Sequence, residues 1–249
     1  MDLGLKGKSA IVTGGSRGIG LAIAETLARE GANVSICARN AEQLEKASSA
    51  ISKHDGKVHS AICDVASPDA LESYIKEAHA ALGSLNVLVN NASAFGRSDD
   101  ENGWRTSIDV DLMASVRASW AATPMLEAAG GGAIVHISSI SGFGASTRTP
   151  PYAAIKATLM QYTQTQALDL AAKNIRVNCV APGSIYFKGG TWDDAEQNNK
   201  PLYDGILKSI PHGRFGTPEE VADLTVYLAS DAARWVTGQT VAVDGGQML

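Results

Sequence analysis

Ser9-Ala-Ile-Val-Thr13 runs without a break into Gly14-Gly-Ser-Arg-Gly18-Ile-Gly20, and the reading of this stretch decides the fold. The first five residues form a short β-prone run. Past the glycines, Ile19, Ile23 and Leu27 recur every four residues, with Glu25, Arg29 and Glu30 off that stripe, as an amphipathic helix requires. Strand, glycine turn and helix together predict a dinucleotide site. Glycines permit a tight turn and close backbone approach, while a helix N-terminus offers free N–H groups and a partial positive charge to a pyrophosphate. The spacing is GxxxGxG rather than GxGxxG. The competing reading is a tight strand-to-helix turn with no ligand.

Outward from that stretch, short apolar runs alternate with helical segments: Asn33 to Ala38, Lys57 to Cys63, Asn86 to Asn90, Ala133 to Ser138, Ile175 to Val180 and Thr240 to Asp244. Such alternation predicts an α/β fold, a doubly wound parallel sheet of about seven strands with helices on both faces. Ligands of such sheets bind beyond the carboxyl ends of the strands, where the strand order reverses. Gly14, Asp64, Asn91, Ser139 and Gly183 all fall at predicted strand ends, on one rim.

The 249 residues suit one large α/β domain, and no Pro/Gly/Ser linker divides them. Residues 1–249 are therefore read as a single dinucleotide-binding and catalytic domain, with a substrate lid at about 184–216. No stretch of about 18 apolar residues and no charged-then-apolar leader occurs, so a cytoplasmic protein with no membrane partner is expected. Cys37, Cys63 and Cys179 each sit in a strand-like run and read as buried free thiols. A net charge of −5 without a basic block argues against nucleic acid. His54, His59, His79, His136 and His212 lack metal-ligand spacing, so no metal is expected, and His136 reads as a packed strand histidine.

The chemistry is concentrated at Tyr152 and Lys156 in Pro-Pro-Tyr-Ala-Ala-Ile-Lys, with the pair Ser138-Ser139 one loop upstream. Residues four apart share a helix face, which lets the Lys156 ammonium favour ionisation of the Tyr152 phenol. A free phenol has a pKa of about 10 and is a poor acid or base near neutral pH. A nearby cation is expected to pull it toward working pH, where general acid-base catalysis is most efficient.

Thr13-Gly-Gly-Ser-Arg-Gly-Ile-Gly20, Asn90-Asn-Ala92, Ile137-Ser-Ser-Ile-Ser-Gly142 and Tyr152-xxx-Lys156 occur in one order. They continue through Val180-Ala-Pro-Gly183 and Gly216-Thr-Pro-Glu-Glu-Val221 to Val243-Asp-Gly-Gly246. Over nearly its whole length the chain resembles the short-chain dehydrogenases/reductases, in the single-domain branch that includes 3-oxoacyl-carrier-protein reductases, with their Rossmann-type fold. The resemblance implies dinucleotide contacts from Gly14, Ser16, Arg17, Gly18, Ile19 and Gly20. It also implies Asp64 and Val65 at the adenine, Asn91 against the adenosine ribose, and Pro182, Gly183 and Ile185 toward the nicotinamide. Ser139, thirteen residues before Tyr152, takes the place of the serine that hydrogen-bonds the substrate oxygen. Tyr152 then exchanges the proton, and Lys156 binds the nicotinamide ribose. The implied reaction is reversible hydride transfer between a carbonyl and an alcohol, and relatives commonly form homotetramers.

Cofactor choice turns on the end of the second strand. Ala38 stands where NAD-preferring relatives carry aspartate, and Arg39 follows. With Arg17, two guanidiniums are available for a 2′-phosphate, so NADP(H) is expected over NAD(H). In the competing reading Arg39 points to solvent and stacks only on the adenine.

Three positions depart from the family pattern. Asp111 replaces an asparagine that holds a water behind the lysine. It is read either as a catalytic residue that also pairs with Lys156, or as a carboxylate satisfied by helix-turn backbone groups. Ser93 replaces the glycine that ends Asn-Asn-Ala-Gly, and Phe187 replaces a threonine. Around Phe187 the loop is rich in aromatics, with Tyr186, Trp192, Tyr203 and Phe215 also within thirty residues. Tyr186, Phe187 and Trp192, beside Ser139 and Tyr152, are the expected substrate residues, and a bulky hydrophobic or aromatic ketone, or its secondary alcohol, is the expected small-molecule substrate. Alternatively these rings pack the lid against its own domain or a neighbouring subunit. Two other functions stay open: a 3-oxoacyl thioester reductase acting on carrier protein or CoA, and a dinucleotide-binding protein with little catalysis. Met125 to Ile134, where carrier-protein reductases place a base, contains one acid and no base, leaving Lys173 as a single contact.

Overall fold

A computed structural model describes residues 2–249. Seven strands, β1 (Ser9–Thr13), β2 (Asn33–Ala38), β3 (Val58–Ile62), β4 (Val87–Asn90), β5 (Gly132–Ile137), β6 (Ile175–Pro182) and β7 (Thr240–Val243), form one sheet in the order β3-β2-β1-β4-β5-β6-β7. Every neighbouring pair is parallel. The expected runs are recovered within a residue or two, with Cys63 just past the end of β3.

Helices α1 (Gly18–Arg29), α2 (Ala41–Ile51), α3 (Pro68–Leu82), α4 (Glu101–Thr106), α5 (Ala114–Ala128), α6 (Pro150–Leu170), α7 (Thr191–Asn198), α8 (Lys200–Lys208) and α9 (Pro218–Ala229) fill the connections. Seven residues between α4 and α5, Ser107–Met113, coil as a π-helix. Alternate strand side chains enter two separate cores, as a two-residue period demands. Ala10, Val12, Val34, Ile36, Val87 and Val89 meet α1, α2 and α9. Ile11, Leu88, Ile134 and Val177 meet α3, α5 and α6 on the other face. Burial on both faces is why these strands read as nearly continuous apolar runs.

The order reverses between β1 and β4, which pair directly, so the loops after these two strands diverge to opposite faces and leave a crevice. That crevice is held by side chains. Thr13 Oγ1 accepts the N–H groups of Asn91 (3.1 Å) and Ala92 (3.2 Å), and Asn91 Nδ2 donates to the carbonyls of Thr13 (3.0 Å) and Gly14 (3.1 Å). No helix among the described residues is long and apolar enough to cross a membrane.

Candidate active site

Helix α6 starts on Pro150 and Pro151, whose fixed φ and missing N–H suit a first turn. One turn further in, Tyr152 and Lys156 both face the sheet. Ser138 Oγ donates to the Lys156 carbonyl (2.8 Å), and Lys156 Nζ donates to the Ile137 carbonyl (3.0 Å), so the helix is pinned to the end of β5 at both ends of that residue. Ser138 thereby joins strand to helix. Ser139 lies beside it in the cavity wall, its hydroxyl accepting the Ser141 N–H (3.1 Å).

Lys156 is 2% exposed, and its ammonium lies 5.4 Å from the centre of the Tyr152 ring. It also pairs with Asp111 Oδ1 at 3.2 Å. Asp111 comes from the π-helical segment, whose wider turns carry it, wholly buried, to α6. The helix-turn alternative for this carboxylate does not hold. Its partners besides Lys156 are the Ser93 hydroxyl, in a short hydrogen bond, and the Ala94 N–H (3.3 Å).

Burial pushes the Tyr152 phenol above its ordinary pKa; the Lys156 charge and a hydrogen bond from Ser139 pull it back, and Asp111 pushes it up again. The net direction is upward, which corrects the expectation that Lys156 alone would bring it toward neutral pH. Burial works against the charge on Lys156, but Asp111 and Tyr152 outweigh it and raise its pKa. The lysine stays an ammonium, and the carboxylate facing it cancels part of its field.

Phe95 closes the other side of Tyr152. Its backbone is left-handed, φ 53°, an uncommon state for a bulky residue. Its ring meets Tyr152 edge-on at 4.6 Å, and the Arg97 guanidinium lies over it at 4.7 Å.

These groups line one end of a cavity of about 900 Å³ that spans the crevice. At its other end lie Ser16, Arg17, Ile19 and Gly20, then Arg39, Asp64 and Val65; Asn91, Pro182, Gly183 and Ile185 line the stretch between. Gly14 has φ +67°, and a Cβ there would stand 2.9 Å from the Ala92 backbone. Arg17 caps α1 without a side-chain bond, so the N–H groups of the first turn remain open to an anion. Arg39 has no acidic partner within 4 Å among the described residues. A narrow glycine turn, open helix N–H groups and the free Arg39 guanidinium along one trough fit a dinucleotide. Gly18 is the exception: the Phe187 ring covers it, within 2.6 Å of where a Cβ would stand. Arg17 Nη1 donates to the Gly189 carbonyl (2.8 Å), so the segment after β6 is latched across the turn.

Of the expected substrate residues, Ser139, Tyr152, Phe187 and Trp192 reach the cavity. Tyr186 does not. Its hydroxyl donates to Asp193 (3.0 Å) and Glu196 (2.7 Å), and its ring, like those of Trp192 and Tyr203, packs toward Phe215, 4.7–6.3 Å centre to centre. The aromatic segment thus packs largely on itself, an arrangement neither reading above anticipated. Arg97, Ile140, Arg148, Leu202 and Ile206 also line this end; the first three come from loops and a short turn with no spacing signal, while Leu202 and Ile206, four apart on α8, carry one that was not read.

His136 is fully buried between Asn90 Nδ2 (3.2 Å) and Gln166 Oε1 (2.9 Å), and burial brings its pKa down to about 4. The three cysteines are free and buried, and no metal-holding cluster of His, Cys, Asp or Glu occurs among the described residues.

A family model described as enoyl-(acyl carrier protein) reductase matches residues 14–248. The 3-oxoacyl-[acyl-carrier-protein] reductase of Chlamydia trachomatis serovar D is 38% identical over 97% of this chain and 98% of its own. Among solved structures, the L-sorbose reductase of Gluconobacter frateurii, complexed with NADPH and L-sorbose, superimposes with a TM-score of 0.93 at 34% identity, covering 100% of this chain and 99% of that one. A 7α-hydroxysteroid dehydrogenase complexed with NADH and 7-oxo glycochenodeoxycholic acid gives 0.92 at 32%, covering 98% and 96%.

Proposed function

Because the chain belongs to the short-chain dehydrogenase/reductase family, we propose that it is an NADP(H)-dependent oxidoreductase interconverting a bulky hydrophobic or aromatic ketone and its secondary alcohol. The observation that carries this reading is the convergence of Ser139, Tyr152 and Lys156 on one end of a cavity whose other end fits a dinucleotide. Bound NADP(H) supplies the hydride chemistry. Ser139 orients the carbonyl oxygen, Tyr152 delivers the proton to it as negative charge develops, and Lys156 holds the ribose and steadies the phenol. Asp111 acts behind Lys156.

Arg17 and Arg39 support a 2′-phosphate, with Gly14, Ser16, Ile19 and Gly20 at the pyrophosphate and Gly18 beneath the Phe187 ring. One structural neighbour holds NADPH and another NADH, so the relatives leave this choice to the arginines. Phe95, Ile140, Phe187, Trp192, Leu202 and Ile206 support an apolar substrate. We read residues 1–249 as one catalytic domain with a lid at 184–216, in a cytoplasmic homotetramer. Trp235, 95% exposed beside β7, supports the assembly, and light scattering should return four copies.

Reduction of a 3-oxoacyl thioester is the second reading, favoured by the 38% identical carrier-protein reductase. Against it, Lys173, the single base that the sequence offers an acidic carrier here, pairs with Glu127 at 3.0 Å. Initial rates of NADPH and NADH oxidation with aromatic and alicyclic ketones and one acetoacetyl thioester decide the matter. Ketone turnover with NADPH is the expected result. Preference for the thioester moves the assignment to acyl-chain reduction, and no turnover at all favours a dinucleotide-binding protein with little catalysis.

A further inference from the structure

Two of the three departures from the family pattern touch each other. Ser93, exposed on the loop after β4, donates its hydroxyl to Asp111 Oδ1 and accepts the Phe95 N–H (3.3 Å). One hydroxyl therefore stands at a fork with Tyr152 at the end of both arms. Along the first arm, Asp111 pairs with Lys156 (3.2 Å), whose ammonium lies 5.4 Å from the Tyr152 ring. Along the second, the left-handed Phe95 sets its ring edge-on to Tyr152 at 4.6 Å.

We propose that Ser93 is a positioning residue that, through Asp111 and Phe95, keeps the proton on Tyr152 and so biases the site toward carbonyl reduction. The direction follows from the role that "Proposed function" gives Tyr152, since reduction needs the phenol as acid and oxidation needs the phenolate as base. Fixed by Ser93 and the Ala94 N–H, the Asp111 carboxylate holds the ammonium to itself and cancels part of its attraction for a phenolate. Phe95 covers one side of the ring with apolar surface, which disfavours the charged form further. Of the other charged and titratable groups nearby, Arg97 lies over the Phe95 ring at 4.7 Å, and the others facing Lys156 are uncharged. Cys179, from β6, is pushed up to about 11 by burial and stays a thiol, and His136, from β5, is held neutral with a pKa of about 4.

The test titrates tyrosinate absorbance in the full chain, subtracting the same titration of a Tyr152→Phe version of each variant, so that no substrate is needed. Asp111→Asn is expected to lower the Tyr152 midpoint by roughly one pH unit, the effect of removing one adjacent charge. Ser93→Ala should lower it too, Ser93→Thr should restore it by returning the hydroxyl, and Asp111→Asn with Ser93→Ala should lower it by less than the sum. A Ser93→Ala midpoint that stays put or rises, or strictly additive shifts, overturns the proposal. Ser93 sits on an exposed loop, so its variants carry the test even where Asp111→Asn fails to fold. Turnover by Tyr152→Phe would sink the functional reading separately, without bearing on these midpoints.

Discussion

Tyr152 sits under opposing pulls, with burial and Asp111 holding its proton and Lys156 and Ser139 drawing it off. Under the proposed assignment, Tyr152→Phe should lower turnover by about 10²–10⁴-fold while dinucleotide affinity, read by fluorescence titration, stays near wild type. Arg39 makes a contrasting case, because the role proposed for it is binding alone. Arg39→Ala should weaken NADPH by about tenfold or more, the worth of a charge-assisted hydrogen bond, and leave NADH nearly unchanged. Equal loss for both cofactors would mean that Arg39 only stacks. At this scale the sequence was legible where a helix period or a motif spacing fixes the geometry, as for Ser139, Tyr152 and Lys156. The Asp111–Lys156 pair could be raised as one of two choices. The Ser93–Asp111 contact could not, since it joins a loop to a π-helical segment whose register follows no simple period.

Among the elements, the strands were the most legible, because the central ones are buried on both faces and read as nearly continuous apolar runs. Legibility failed in the segment after β6. Its aromatic content was plain, but which rings turn inward depends on Phe215, a centre that only tertiary packing supplies. Tyr186 was misplaced for that reason. The Phe187 ring on Gly18 and the Arg17 bond to Gly189 tie this segment to the glycine turn. Gly18→Ala meets both a positive φ of +53° and the ring at 2.6 Å. It should destabilise the chain by more than about 1 kcal/mol in thermal melting and weaken dinucleotide binding with it. An unchanged melting temperature would show that the segment yields freely.

Across the whole molecule, the buried network of Asn90, His136 and Gln166 makes stability depend on pH. His136 has a folded pKa of about 4, below the value of about 6.5 expected when unfolded, so the unfolded chain binds the extra proton first. Its contribution is fully present above about pH 6.5 and is lost as pH falls toward 4, by roughly 3 kcal/mol in all. Denaturant melts at pH 7 and pH 4.5 should show that decline, and His136→Gln should flatten it. A different consequence follows from where the cavity draws its walls. The end that holds Ser139, Tyr152 and Lys156 is anchored to β5 and α6, whereas its remaining walls come largely from the loops around Phe95–Arg97 and Ser146–Thr149 and from the α7–α8 segment, none of which carries a strand of the sheet. Under the proposed function, descendants of this chain can therefore exchange one carbonyl compound for another by drift in those segments while inheriting the sheet and Tyr152 intact.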